Sequence, residues 1–154
     1  EYDLKDFIMP VDENARGSFA ESVLIFQGLV FIFDNQIEAA KKHFQSLLDK
    51  TDNPMSQTLS QLYLLQIALL ERDHEKAEEY ASNRGVKSFL SLKMADTQIM
   101  QAWYQFLVKK DMVQTDKAIK IARQNMVTSR LVRDEKRYYE NWLAELEKEL
   151  SEGV

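Results

Sequence analysis

The chain has 154 residues, enough for one domain with a sizeable core. With no cysteine it has neither a disulfide framework nor a thiolate metal site, and a net charge of −5 argues against bulk attraction to nucleic acid. Four glycines and two prolines leave little material for strand edges and hairpin turns, so the expected class is all-α.

The charge is uneven along the chain. Residues 1–82 carry 7 basic and 15 acidic side chains, residues 83–137 carry 12 and 5, and residues 138–154 carry 1 and 5. A basic middle between acidic ends reads either as a binding stripe or as helices that neutralise one another. The longest apolar stretch, 19–33, has 15 residues and is broken by Glu21, Ser22 and Gln27. That is short of the ~20 needed to span a bilayer. A chain beginning at Glu1 is expected to be a processed protein or an excised domain. A reducing compartment, the cytoplasm or the cytoplasmic face of a membrane, suits the cysteine-free composition.

Residues 1–17 read as an N-terminal arm whose apolar Tyr2, Leu4, Phe7, Ile8 and Met9 should pack on the domain. A first helical hairpin is predicted over about 18–50. Ser18 to Glu21 fits a Ser-x-x-Glu capping box, and the helix 19–33 is apolar nearly all round. Asp34-Asn35 turns the chain, and Ile37, Ala40, Phe44 and Leu47 form the inward stripe of a second helix.

The second hairpin, about 53–84, is the clearest. Pro54 sits where a first helical turn tolerates proline, and Leu59, Leu62, Leu65, Ile67, Leu69 and Leu70 follow at helical spacing. After a polar turn at 71–73, Ala77 and Ala81 share one face of a shorter helix. Gly85 is read as its C-terminal cap, and 86–92 as a short extra helix.

A third hairpin is predicted over about 96–127. Asp96 is the candidate N-cap, and Ile99, Ala102, Trp103, Phe106 and Leu107 make the stripe. A loop over 112–115 precedes a helix marked by Ala118, Ile121 and Ala122. A last amphipathic helix, about 129–150, carries Leu131, Tyr138, Tyr139, Trp142, Leu143, Leu146 and Leu150, and would cap an open stack.

The small residues Ala40, Ala77 and Ala118 recur 37 and 41 residues apart, in the range of helical-repeat solenoids. With Leu24, Gly28, Phe44 and Leu47 in the first unit, Leu64, Ala68 and Ala81 in the second, and Trp103, Phe106 and Ala122 in the third, the chain resembles the tetratricopeptide (TPR) family over about 18–126. The resemblance implies a right-handed stack of about three TPR-like hairpins, a single domain over 18–154, and a concave groove lined by the first helix of each pair. Carried onto this chain, the groove residues are Ile25, Leu29, Ile32 and Phe33, then Leu62, Gln66, Leu69 and Leu70, then Gln101, Tyr104 and Val108. Such a groove would take an amphipathic helix or an apolar peptide. The alternative is that the chain's own arm or last helix fills it.

His43 and His74 are far apart, and the HEKAE segment at 74–78 lacks the second histidine of a zinc-protease helix. No phosphate-cradling glycine loop or nucleophile elbow is present, so no enzyme activity, cofactor or metal is expected. The sequence reading is a non-catalytic protein–protein interaction module, with self-association among its possible partners. One competing reading is an electrostatic binder of nucleic acid or anionic membrane through Lys109, Lys110, Lys117, Lys120, Arg123, Arg133, Lys136 and Arg137. Another is the soluble portion of a larger membrane-associated protein, reaching the membrane only through a missing segment or a partner.

Overall fold

Asn53 and Asp73 each start a helix with a side-chain cap. In a computed structural model, which describes residues 18–129 and 131–153, the Asn53 side chain accepts from the backbone N–H groups of Met55 and Ser56, and Asp73 accepts from Lys76. These caps satisfy donors that a helix N-terminus leaves without partners. The expected arm over 1–17 lies outside the described residues.

The described residues are helical, with no strand among them. The order is α1 (Ser18–Phe33), α2 (Ile37–Lys50), α3 (Pro54–Leu70), α4 (His74–Ala81), α5 (Arg84–Leu90), α6 (Ala95–Tyr104), α7 (Met112–Val127) and α8 (Arg133–Glu152). A π-helical turn, Gln105–Lys109, prolongs α6. None of these helices is long and apolar enough to cross a membrane. The chain divides into two units, Glu1–Val86 and Lys87–Val154.

In the first unit, α1 packs on α2 and α3, α2 on α3, and α3 on α4. Helix α3 is apolar all round because it is enclosed, with nine buried residues. Ala40 and Ala77 are buried, as is Phe44, whose ring lies on Gly28. Helix α2 is truly amphipathic: Ala40, Phe44 and Leu47 face inward and Lys42, Gln45 and Asp49 face out. Lys41 on α2 bridges to Glu71 beyond α3 at 2.7 Å.

In the second unit, α6 packs on α7 and α8. Its interior centres on Trp103 and Trp142, whose rings stack 5.8 Å apart at 17°. The Trp103 indole N–H donates to the Trp142 backbone carbonyl at 3.1 Å, so a buried polar group is satisfied where the rings meet. Tyr139, Leu143 and Leu146 complete the buried face of α8, and Ala118 and Ala122 that of α7.

Three hairpin turns share one conformation. Asn35, Arg72 and Lys110 all adopt left-handed backbone, with φ of 60°, 56° and 55°. Each lies between a helix end and the residue that opens the next helix. In the first two turns paired bonds close the end: Gln36 N–H to the Phe31 carbonyl and Asn35 N–H to Ile32, then Asp73 to Ala68 and Arg72 to Leu69. This is the 6→1 and 5→2 pattern of a Schellman-type ending. The three left-handed residues are 37 and 38 residues apart, a more regular period than the alanines show.

Several boundaries differ from expectation. Helix α6 begins at Ala95 with Met94 as its N-cap residue, so Asp96 lies in the first turn and bonds to the Thr97 N–H instead. No loop occupies 112–115: Asp111 accepts from the Gln114 N–H and starts α7 at once. Helix α8 starts at Arg133, not near Ser129. Gly85 does not cap a helix; it is the second residue of α5, and a Cβ there would come within 2.6 Å of the Thr58 hydroxyl oxygen. Close approach, not left-handed backbone, is what calls for glycine.

Candidate functional site

The residues expected to line a groove divide by burial. On α1, Ile25 and Ile32 are buried, while Leu29 and Phe33 are half-buried. On α3, Leu62, Gln66 and Leu69 are at most 2% exposed, and only Leu70 is half-buried. In the second unit Tyr104 is buried, and Gln101 and Val108 are half-buried. Leu62, Gln66 and Leu69 are therefore interior side chains and not an open wall. The same periodicity marks a buried stripe and a groove lining, and sequence spacing does not tell them apart.

What remains accessible in the first unit is one side of α1. Phe19 is 66% exposed, and Val23, Phe26, Leu29 and Phe33 are half-buried. At about 100° per residue these positions, with Ser22, fall on one side of the helix, opposite Glu21, Gly28 and Ile32, and Val30, in the middle of that side, is buried. Among the described residues, α1 packs on α2 and α3 through that opposite side.

The N-terminal end of α1 is held by a buried carboxylate. Glu21, only 4% exposed, accepts hydrogen bonds from the Thr51 hydroxyl and, at 3.0 Å, from the Ser56 hydroxyl. Thr51 joins α2 to α3 and Ser56 lies in the first turn of α3, so one side chain ties three helices together. In sequence Glu21 reads as a capping-box partner of Ser18, but its carboxylate is directed here instead.

A cavity of about 310 Å³ opens between α1 and α2. Leu24, Phe31, Ala39 and Leu47 supply its apolar surface, and Lys42, His43, Ser46 and Lys50 its polar surface. The His43 Nε2–H donates to the Leu24 carbonyl at 2.6 Å, and its ring meets Phe31 and Phe44 edge-on at 5.7 and 5.8 Å. His43 therefore positions α1 against α2. His74, the other histidine, is exposed at the start of α4. Sequence reading passed over Lys42, Ser46 and Lys50; the available signal was their four-residue spacing beside the inward stripe of α2.

In the second unit the expected basic stripe is partly neutralised. Lys120 pairs with Asp116 at 2.9 Å, Arg137 with Asp134 at 3.2 Å, and Arg123 with Glu147 across to α8. Lys109 lies 5.8 Å over the Tyr104 ring. Lys110, Lys117 and Arg133 are exposed and Lys136 is half-buried.

Two half-buried carboxyls, Asp96 on α6 and Glu135 on α8, approach one another. Burial pushes both above the usual carboxylate range, and the charge of Asp96 raises Glu135 further. Asp96 also lines a cavity with Lys93, Asn125, Ser129 and Leu131. No group of three or more His, Asp or Glu side chains that could hold a metal ion occurs among the described residues.

Comparison of the chain with protein-family profiles, with curated proteins and with solved structures returns no match.

Proposed function

We propose that the protein is a non-catalytic protein–protein interaction module, built of TPR-like helical hairpins in a right-handed stack, that takes an amphipathic helix or apolar peptide from a partner. The reading is carried by α1: a helix with apolar residues on every side whose Phe19, Val23, Phe26 and Leu29 are left at least partly accessible. Partly exposed aromatic and aliphatic side chains in one contiguous strip are the usual anchor for a partner helix. The hairpin turns at Asn35, Arg72 and Lys110, alike in conformation and nearly equal in spacing, support a repeat architecture. The pairing of Lys120, Arg123 and Arg137 with carboxylates favours this reading over an electrostatic one.

The test is a selection of displayed random peptides against the immobilised full chain. Enriched peptides should be amphipathic, and Phe26→Asp or Leu29→Asp should weaken their binding by roughly tenfold or more. Circular dichroism of both variants should match the parent. Peptides that bind parent and variants equally, or a selection that enriches nothing, would overturn the assignment.

A further inference from the structure

We infer that the cavity between α1 and α2 binds a monomeric anionic amphiphile, an aliphatic carboxylate with its tail on Leu24, Phe31 and Leu47 and its head among Lys42, Ser46 and Lys50. This site is separate from the exposed side of α1 and does not rest on its being a partner surface. Leu24 and Leu29 are five residues apart, which turns their side chains about 140° from one another around the helix.

The charge pattern is the first reason. The unit Glu1–Val86 holds 8 basic and 15 acidic residues, so a lysine there has carboxylates in ample supply. Lys41 and Lys76 both take them, bridging Glu71 at 2.7 Å and Glu79 at 3.1 Å. Lys42 and Lys50 make no ion pair among the described residues, and both line the cavity. They are eight residues apart on α2, about 12 Å along the axis, with Ser46 midway.

The hydroxyl is the second reason. A serine within or just after a helix commonly bonds back to a backbone carbonyl of the preceding turn. Ser82, Ser91 and Ser151 do so, each to the carbonyl three residues before it at 2.7–2.8 Å. Ser46 makes no hydrogen bond among the described residues, which leaves its hydroxyl for a ligand.

Size and wall chemistry complete the case. A cavity of about 310 Å³ is at the small end of ligand pockets, which run from about 300 to 1,000 Å³. Apolar walls with one cationic edge match a molecule that is apolar along its length and anionic at one end. The bond from His43 to the Leu24 carbonyl holds the two helices at this spacing, so the site is formed before the ligand arrives.

The test uses the full isotopically labelled chain and decanoate kept below its micelle-forming concentration, followed by amide chemical shifts. Decanol supplies the tail without charge, and acetate the charge without a tail. Decanoate should saturate, with shifts centred on Leu24, Phe31 and 39–50. Decanol should bind roughly tenfold more weakly, as loss of a charge-assisted contact implies, and acetate should not saturate. The double variant Lys42→Gln/Lys50→Gln, altered only at exposed positions, should lose about the same factor for decanoate and nothing for decanol. Ala39→Phe, which fills the cavity, should abolish both. Equal affinity for decanoate and decanol would overturn the inference. So would an unchanged double variant, shifts centred outside α1 and α2, or a response to phosphatidylserine vesicles without one to monomeric decanoate.

Discussion

The far end of the Phe44 ring abuts the backbone of Gly28, so that a β-carbon at that glycine would fall 2.7 and 2.8 Å from two ring carbons. Phe44 is fully buried and α2 presents it directly to α1. The missing side chain at Gly28 thus sets the distance between the two helices. Gly28→Ala gains about 1 kcal/mol of helix propensity but forces a rigid, enclosed ring to move, and overpacking of that kind costs about 1–3 kcal/mol. The expected result is net destabilisation in urea followed by far-UV circular dichroism. Adding Phe44→Leu to Gly28→Ala should cost less than the two changes summed, because the smaller side chain vacates the contested space.

Glu21 depends on two hydroxyls for its buried carboxylate. Thr51→Val keeps the shape and removes one donor, and should destabilise the fold by about 1–3 kcal/mol, the usual cost of leaving a buried acceptor short of a partner. The double change Glu21→Gln/Thr51→Val should recover part of that loss, since it removes the charge that needed the donor. Equal chemical-denaturation midpoints for Thr51→Val and the parent would show that the bond contributes nothing.

The apposed carboxyls Asp96 and Glu135 make stability depend on pH. Both are held above the usual carboxylate range, so the folded state binds their protons more tightly than the unfolded chain does. Stability therefore falls as pH rises through the raised values, and is regained on acidification. Glu135→Gln should raise the thermal midpoint at pH 7, by an amount that shrinks as the pH is lowered through the carboxylate range. Lys93 and Asn125 beside Asp96, and Arg133, Asp134 and Lys136 beside Glu135 in sequence, remain in both proteins, so the comparison isolates one carboxyl. A benefit of the same size at low and neutral pH would show that packing, not charge, is responsible.

Lys110 carries a φ of 55°, a backbone region that costs a side chain with a Cβ roughly 1–2 kcal/mol. Lys110→Gly should therefore stabilise the protein by about 1 kcal/mol, after the greater freedom of glycine in the unfolded chain is subtracted. Asn35→Gly, at a φ of 60°, should do less because asparagine already tolerates this region. Thermal unfolding of the two variants side by side reads the difference. The only two tryptophans, Trp103 and Trp142, lie in the same unit as Lys110, so their emission follows the unit being altered.

Helix class and most helix boundaries were legible from residues alone. Asn53-Pro54 and Asp73 announce helix starts by the chemistry of their own side chains, and the inward stripes of α2 and α8 follow from spacing. Local signals suffice there because capping and amphipathic periodicity act within one or two turns. They failed at Asp96, which lies in the first turn of α6 instead of capping it, and at Asp111, which caps α7 where a loop was expected.

Everything that depends on contact between distant segments was decided by the tertiary structure. The resemblance grouped Leu62, Gln66 and Leu69 as a groove wall, but only the tertiary packing made them interior. Neither Arg72 nor Lys110 is a residue type that favours left-handed backbone, yet both adopt it where one helix ends before the next. Glu21 meets Thr51 and Ser56, and Lys42 shares a cavity wall with Phe31, because helices distant in sequence lie side by side. The sequence by itself determined where helices form, since that free energy is local. Which of their faces stay open to a ligand was settled only when those helices packed.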